Sequence, residues 1–486
     1  MRDFVQTPAG LFLIFVFALG GCAVGPDYRP PRTSENTPPE WKAAPAWKQA
    51  EPRDTAIKPA FWEIFDDPVL DELEHEAMTN NPDVQAAFAR VQEAAAVARI
   101  ARSELVPSLS LDPHALRERY SNNRPVPPLS PRPLQGYTAS DFLVPFDLSY
   151  EVDLWGRVRR SFRGAREQAQ AGAADYQNVL LGLQGAVAQT YFVLRAVDLE
   201  RRELRATVEL RRKNLSLTEF LHSGGADSAV DVGRAQTELA SAEAGLAGYQ
   251  LRRQQLENAL AALCGQKATS FRLAETMREY SPPVIPVGLP ADLLERRPDV
   301  AEAERNMAAA SEGIGIAKAA YFPTIQLTGA AGTESAQLKN IFDWESRVWT
   351  FGPSVNVPLF EGGRIRADVA RARAAYAESE ARYRSQVLVA FREVEDTLAG
   401  LSLLGEQYAA QVRAVDAARK VAELSRNRYK EGLVSYFEVV DAERTELENE
   451  ILAFDLNGQR MVDTVLLIRA LGGGWTADEL AIPAGH

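Results

Sequence analysis

The chain has 486 residues, which is enough for two or three domains of ordinary size. Hydrophobic residues make up 46% of it and charged residues 25%, as in folded rather than disordered proteins. The net charge of −12 argues against the basic surface of a nucleic-acid-binding protein, and the four scattered histidines offer no pair at metal-ligand spacing. We therefore predict no nucleic-acid partner, no metal site and no cofactor.

The first residues indicate export and lipidation. Leu11–Leu19 is an apolar run too short to span a bilayer but suited to a signal peptide. The small residues before Cys22 resemble the bacterial lipobox, in which the thiol is lipidated and the chain is cut before it. We predict a signal peptide over residues 1–21, a palmitate-bearing lipid on Cys22 and a lipid-anchored extended segment over 22–60. The alternative is a plain secretory signal followed by an incidental cysteine.

Two parts of the chain repeat one another. The motif at Asn81–Val84 returns 216 residues later at Arg297–Val300, and the motif at Gly156–Arg159 returns 207 residues later at Gly363–Arg366. We interpret residues 61–265 and 291–472 as two copies of one unit, each with a helix, two strands and long helices. A Pro-rich linker over 266–290 joins them, and residues 473–486 form a C-terminal tail.

Proline placement predicts very long helices. None of the 28 prolines lies between Arg157 and Ser281 or between Leu359 and Ile482, and proline is costly inside a helix. Apolar residues in the second expanse alternate steps of four and three, which is typical of a coiled coil. These residues are Val387, Phe391, Val394, Leu398, Leu401, Gly405, Tyr408, Val412 and Val415.

Segments near residues 106–111, 146–156, 322–327 and 349–360 alternate apolar and polar residues, which predicts four strands in a two-faced sheet. One interpretation is a half-buried sheet of a soluble core. The other is a transmembrane sheet, favoured by the aromatic face and by Asp147, Glu151 and Asp153 on the polar face. Four strands cannot close a barrel, so in lipid three chains would supply twelve.

Several motifs together resemble the outer-membrane factors, the TolC-like channels. They are Cys22–Pro31, the two repeated PDV units, Pro358–Ala367 and Tyr429–Arg444. The lipoprotein branch, often called NodT-type, is the most similar. The resemblance implies a mostly α-helical homotrimer with a twelve-stranded barrel in the outer membrane and a long periplasmic α-helical barrel. It also implies a periplasmic membrane-fusion adaptor and an inner-membrane resistance-nodulation-division pump as partners in multidrug efflux.

The resemblance also assigns roles to residues in the chain. Helix-tip turns are expected at Gly225 and Gly432, with Ser435 and Tyr436 on the loop that meets the adaptor. A periplasmic gate is expected from the aromatic and charged residues near these turns, which are Tyr429, Glu438, Asp441, Asp231 and Arg234.

The second-copy turn departs from the family pattern, because Val434 stands where a basic residue is common. We expect Arg234 to compensate by pairing with Asp441 or Glu438. The alternative is that these acids only solvate a helix end. Asp147, Glu151 and Asp153 are expected in the barrel lumen or on another wetted face. The basic clusters at Glu200–Arg205 and Arg211–Lys213 are expected on solvated helix faces.

Two other function classes are weighed against a passive exit channel. A lipid-anchored periplasmic coiled-coil spacer would explain the heptads and the lipobox, but not the duplicated strands. An enzyme is not predicted, because the sequence has no GxSxG, GxxxxGK[ST] or CxxC motif. The exported substrate stays open, since a passive duct needs no substrate pocket.

Overall fold

The computed structural model describes residues 23–30, 41–42, 60–123, 136–225, 228–285 and 297–473. The predicted signal peptide and Cys22 lie outside the described residues. So do residues 124–135, the end of the linker and nearly all of the tail.

The described residues are mostly helical. The helices are α1 (Pro68–Asn80), α2 (Pro82–Ser103), α3 (Arg157–Ser223), α4 (Ala229–Leu263), α5 (Pro298–Ala319), α6 (Arg364–Lys430) and α7 (Tyr436–Ala470). Their lengths match in pairs, with 22 residues in α2 and α5, 67 in α3 and α6, and 35 in α4 and α7. The two proline-free expanses are therefore long helices that each turn back once, as proline placement predicts.

Neighbouring long helices pack through both apolar and ionic contacts. In α6, Val394 and Leu398 of the predicted coiled-coil positions are fully buried, and Leu401 and Val415 are nearly so. Val412 is the exception at 37% exposed. Because these residues recur every three or four positions, they form one stripe of the helix that faces its neighbours.

One helix, α3, contains a window that is long and apolar enough to cross a membrane. Length and composition do not distinguish such a helix from the core helix of a bundle, and 56% of the window is buried. Among the described helices, none of the others passes this test.

A single antiparallel sheet contains β1 (Ser108–Leu111), β2 (His114–Arg119), β3 (Thr138–Glu151), β4 (Thr324–Ser335) and β5 (Arg347–Asn356). Its order is β1-β3-β4-β5, with β2 also paired to β3. Because β1 and β2 continue one register along β3, the sheet is four strands wide. The sequence prediction missed β2, and it placed the ends of β3 and β5 four or five residues too far along the chain.

The register separates the two faces of the sheet. One face carries apolar residues in adjacent cross-strand pairs: Leu109 with Leu148, Leu111 with Phe146, Tyr150 with Leu327, Ile325 with Val355 and Ala331 with Trp349. The opposite face carries small polar and acidic residues, among them Ser110, Asp147, Gln326, Thr350 and Ser354. The described residues leave the apolar face uncovered, since Trp349 is 78% and Phe351 64% exposed.

The chain divides into two compact units, and each takes segments from both sequence copies. One comprises residues 1–30, 92–170 and 304–381 and holds the sheet. The other comprises residues 31–91, 171–303 and 382–486 and holds most of the long helices. In the second unit, Leu194, Leu398 and Ile468 are fully buried core residues, and the free Cys264 is also buried.

Candidate functional site

The paired long helices turn back at two glycines, and this end of the second unit is the candidate functional site. Gly225 after α3 and Gly432 after α6 have φ angles of 78° and 73°, which L-residues with a side chain rarely adopt. The amide of Gly432 donates to the carbonyl of Tyr429 at 2.9 Å, and that of Leu433 to the carbonyl of Arg428 at 2.9 Å. This pattern closes the last turn of a helix with glycine in the left-handed conformation. Both predicted turn glycines are confirmed in this conformation.

The returning helices begin with equivalent Ser-x-x-acid sequences that the structure uses differently. At the start of α4, the Ser228 hydroxyl accepts from the Asp231 amide at 3.2 Å and donates to the Asp231 carboxylate at 2.6 Å. At the start of α7, Ser435 makes no side-chain cap, although Glu438 stands three residues later. Asp231 therefore stabilises a helix start, while the carboxylate of Glu438 is not used in that way.

Tyr436 does not lie on an exposed loop, so the prediction of an adaptor contact for its side chain is wrong. It is the first residue of α7, and its side chain is 4% exposed. It packs against Ala235 and Val440, with the Tyr429 ring 5.7 Å away between centroids. Burial raises the pKa of the Tyr436 hydroxyl. Ser435 is exposed, so the structure leaves that position available.

Arg234 is paired within its own helix rather than with the second-copy acids. Its guanidinium lies 3.5 Å from the Asp231 carboxylate and 5.5 Å from the centroid of the Phe437 ring. Arg234 and Asp441 do line the same groove between the first turns of α4 and α7. Within one chain, however, the predicted ion pair of Arg234 with Asp441 or Glu438 is not formed. One helical turn separates Arg234 from Asp231, and this local partner is the one it contacts.

Glu438 and Asp441 are exposed. Among the described residues, neither carboxylate takes part in an ion pair. Both sit in the first two turns of α7, where the helix dipole favours negative charge. The structure thus presents two uncompensated acids beside the Gly432 turn.

A buried ionic network lies behind this groove, and sequence reasoning missed it. Arg211 of α3 contacts Glu443 of α7 at 2.9 Å, with side chains only 3% and 4% exposed. Arg426 of α6 approaches Glu443 at 3.6 Å, and Glu238 of α4 lies 3.9 Å from Arg211 and pairs with Arg444. Ion pairs therefore link the four long helices at one level of the bundle.

This network corrects the expectation that Arg211–Lys213 is a solvated face. Arg212 is half-exposed, but Arg211 is buried. The first cluster is mixed in the same way, since Glu200 and Arg201 are buried. The sequence could have indicated this, because consecutive residues of a helix point in different directions. In a helix with neighbours on two sides, some residues of a charged run must therefore be buried.

The acids assigned to a barrel lumen are placed in three different ways. Asp147 is on the polar face of β3 and partly exposed. Glu151 ends that strand and forms a bidentate ion pair with Arg157, with N–O distances of 2.7 and 2.8 Å. Asp153 is not on a strand, because it accepts from the Val158 and Arg159 amides at 3.2 and 2.9 Å and so caps the start of α3. The lumen prediction is wrong for Asp153.

The described N-terminal segment, residues 23–30, is bound to the junction between β3 and α3. The Val24 amide donates to the Trp155 carbonyl at 3.0 Å. The fully buried Arg160 donates to the Pro26 carbonyl at 3.1 Å and pairs with Glu312 at 2.8 Å. Cys22, which precedes this segment in the sequence, lies outside the described residues.

The described part of the chain contains no group of three or more His, Cys, Asp or Glu side chains arranged to hold a metal ion. Its distinctive features are a sheet with an uncovered apolar face and long helix pairs that turn back at glycines. Together they define a membrane protein of the channel class, with a lipid-compatible sheet and a helical part.

Comparison with known proteins identifies the family within this class. A family model described as outer membrane efflux protein matches residues 73–266 and 289–473. The chain is 34% identical over 464 residues to the solvent efflux pump outer membrane protein SrpC of Pseudomonas putida, covering 95% of this chain and 97% of SrpC. The chain belongs to the outer membrane efflux protein family. It is an outer-membrane efflux channel with no enzymatic activity.

Solved channel structures share the fold. The outer-membrane channel OprN matches with a TM-score of 0.86 at 28% identity, covering 93% of this chain and 100% of OprN. The MtrE outer membrane channel of Neisseria gonorrhoeae matches with a TM-score of 0.83 at 26% identity, covering 94% of this chain and 99% of MtrE.

Proposed function

We propose that three copies of this chain form the passive exit duct of a tripartite efflux system. In this proposal a twelve-stranded barrel crosses the outer membrane, and the long helices of the two repeated halves form a periplasmic tunnel. A periplasmic membrane-fusion adaptor and an inner-membrane resistance-nodulation-division pump would deliver substrates to it. Its relatives include outer membrane proteins of a solvent efflux pump and a toluene efflux pump.

One observation carries this proposal: the sheet is apolar on an exposed face and unpaired at both edges. Within the described residues, the outer edges of β5 and of the β1–β2 strand pair with no further strand. An open edge in lipid leaves backbone groups unsatisfied, at a cost of several kcal/mol each. Pairing β5 of one copy with β1 of the next satisfies both edges, and three copies of a four-strand-wide sheet give twelve strands.

Two matched substitutions test this arrangement. Phe351→Lys places a charge on the apolar face of β5, whereas Thr350→Lys places the same charge on the polar face one residue away. A lysine at the lipid-facing midplane of a barrel costs about 2–4 kcal/mol. We expect Phe351→Lys to reduce membrane-inserted trimer, and Thr350→Lys to insert normally.

The measurements are the oligomeric state of detergent-extracted protein by native mass spectrometry and the single-channel conductance in planar bilayers. A trimer that conducts supports the proposal. A protein that is anchored by its lipid but never conducts would instead support the coiled-coil spacer. If the two lysine variants insert equally well, the sheet does not lie in the membrane.

We further propose that Glu438 and Asp441, with Tyr429 nearby, form an acidic gate at the helix tips. The exposure of both acids and the lack of an ion pair with any described residue support this role, because three copies of each acid can then face one opening. Such a ring attracts cations and is blocked by multivalent ones.

The double variant Glu438→Ala/Asp441→Ala is expected to raise conductance and to weaken block by divalent cations. Glu431→Ala is the control, because Glu431 is an exposed acid in the same turn that precedes Gly432. A double variant with the conductance and block of the wild type would exclude these acids from the constriction.

A lipid on Cys22 completes the proposal. Its support is the fixed attachment of residues 23–30 at the β3–α3 junction, next to the strand end that the proposal places at the membrane surface. The lipid and the barrel would then enter the same bilayer leaflet.

A further inference from the structure

A cavity lies where the four long helices meet, away from both the helix-tip groove and the sheet. Glu200 from α3, Arg252 from α4, and Asp455, Gln459 and Asp463 from α7 line it. The rest of its wall is apolar, from residues such as Val193, Leu404 and Val462. Three acids against one arginine leave the cavity with an excess of negative charge.

Glu200 is the residue that makes this cavity more than an acidic patch. It is 1% exposed, and its Oε2 atom is buried with no hydrogen-bond partner in the described structure. A buried carboxylate oxygen without a donor costs free energy that a bound cation would recover. The close contact of Gly458 with Ala196, where an added Cβ would lie 2.8 Å away, holds α7 against α3 beside it.

The arrangement selects the kind of cation. No group of three acids in the described structure is close enough to ligate a metal ion, so a bare divalent ion would lack the ligands it needs. A cation with an apolar body can instead place its charge near Glu200 and its carbon chain against the valine and leucine walls.

We propose that this cavity is a binding site for small organic ammonium ions, with Glu200 as the residue that pairs with the ammonium group. Asp455 and Asp463 add attraction at longer range, and Arg252 opposes it. The assignment does not depend on the proposed duct, because binding to the protein in detergent requires no transport. A protein that fails to conduct can still pass this test, and a conducting protein can still fail it.

The protonation of Glu200 gives the site a pH dependence. Burial raises the pKa of Glu200 to about 7, while Arg252 lowers it and Asp455 raises it. Burial also raises the pKa of Asp463, and Tyr249 from α4 lies near Glu200 with a raised pKa. Because an ammonium ion binds the carboxylate form, binding releases a proton and strengthens as pH rises through about 7.

The test is isothermal titration calorimetry of the full-length protein in detergent with n-butylammonium chloride. An alkylammonium, like lysine, stays charged at pH 6 and pH 8. One proton released at a site with pKa about 7 gives about tenfold tighter binding at pH 8 than at pH 6. Glu200→Gln is expected to weaken binding at pH 8 about tenfold, as for the loss of one charge-assisted hydrogen bond, and to remove the pH dependence.

The controls separate charge from packing and from misfolding. Glu219→Gln removes an exposed acid of the same helix and is expected to bind like the wild type. Neutral 1-butanol is expected not to bind measurably. Asp455→Asn provides a second variant in case Glu200→Gln does not fold, with a smaller loss of affinity. The proposal is overturned if n-butylammonium does not bind the wild type, if 1-butanol binds equally, or if Glu200→Gln and the wild type bind alike.

Discussion

Replacing Arg211 by methionine is expected to destabilise the helix bundle by far more than replacing its neighbour Arg212. Arg211 is buried against Glu443 at 2.9 Å, with Glu238 3.9 Å away. Removal of one partner of a buried ion pair leaves the other charge uncompensated, which typically costs about 3–5 kcal/mol. Arg212 is 52% exposed and pairs with two exposed acids, so its replacement should cost at most about 1 kcal/mol.

The loss of stability in Arg211→Met should depend on pH, and the direction of that dependence follows from the pKa of Glu443. Burial holds the pKa of Glu443 above its usual value, although Arg211 and Arg426 lower it. An acid with a raised folded pKa contributes less stability as pH rises from its unfolded pKa, about 4.3, through its folded pKa. Removing Arg211 raises that pKa further, so the variant's deficit should be small near pH 4.5 and largest above the folded pKa.

The assay is thermal unfolding of detergent-solubilised protein at pH 5 and pH 8, at a fixed protein concentration because the protein is expected to be oligomeric. The double variant Arg211→Met/Glu443→Leu should recover most of the loss, because no charge is then buried alone. The same deficit at both pH values, or a double variant that loses the sum of the two single effects, would refute the reasoning.

Three further predictions concern other parts of the chain. Both carboxylate oxygens of Glu74 are buried without a hydrogen-bond partner among the described residues, and burial raises the pKa of Glu74 well above the usual value. The wild type should therefore lose thermal stability as pH rises above about 4.3, and Glu74→Gln should not. Glu72 is exposed, so Glu72→Gln should lose stability with pH as the wild type does. Gly432→Ala should lower the free energy of unfolding by about 1 kcal/mol, because Gly432 has a positive φ. Gly233→Ala should raise it by up to about 1 kcal/mol, because Gly233 lies inside α4 with open space where a Cβ would be added. Both effects are measured as shifts of the melting temperature. Cys22→Ser should abolish metabolic labelling with palmitate, and labelling that persists would exclude lipidation at this residue.

Local patterns in the sequence were enough to predict the long helices and most of the strands, and the family resemblance added the turn glycines. A proline-free run fixes where a helix can extend, and two-residue alternation fixes which side chains share a sheet face. The gap at Asp112–Pro113 divides what would be one strand into β1 and β2, although the Asp112 amide still bonds to the Pro145 carbonyl at 3.3 Å. Alternation is weak there, which is why β2 was missed.

The partners of charged residues could not be predicted in the same way. The family pattern at the second-copy turn predicts a pair of Arg234 with Asp441 or Glu438. Arg234 instead contacts Asp231 one turn away, because that partner needs no exact alignment of two helices. Asp153 continued the strand alternation in sequence but caps α3 in the structure. Each of these outcomes depends on distances that sequence spacing does not contain.

The sequence by itself determined the extent of the long helices and the two faces of the sheet, because each is set by local backbone preference and hydrophobic period. The family followed from the resemblance of whole motifs to known channels. Only the tertiary structure decided that Arg211, Glu443 and Glu200 are buried while Glu438 and Asp441 are not. All five belong to charged helical stretches that look alike in sequence. Their environments differ because burial depends on which face of each helix its neighbours cover, and that is a property of the packed bundle.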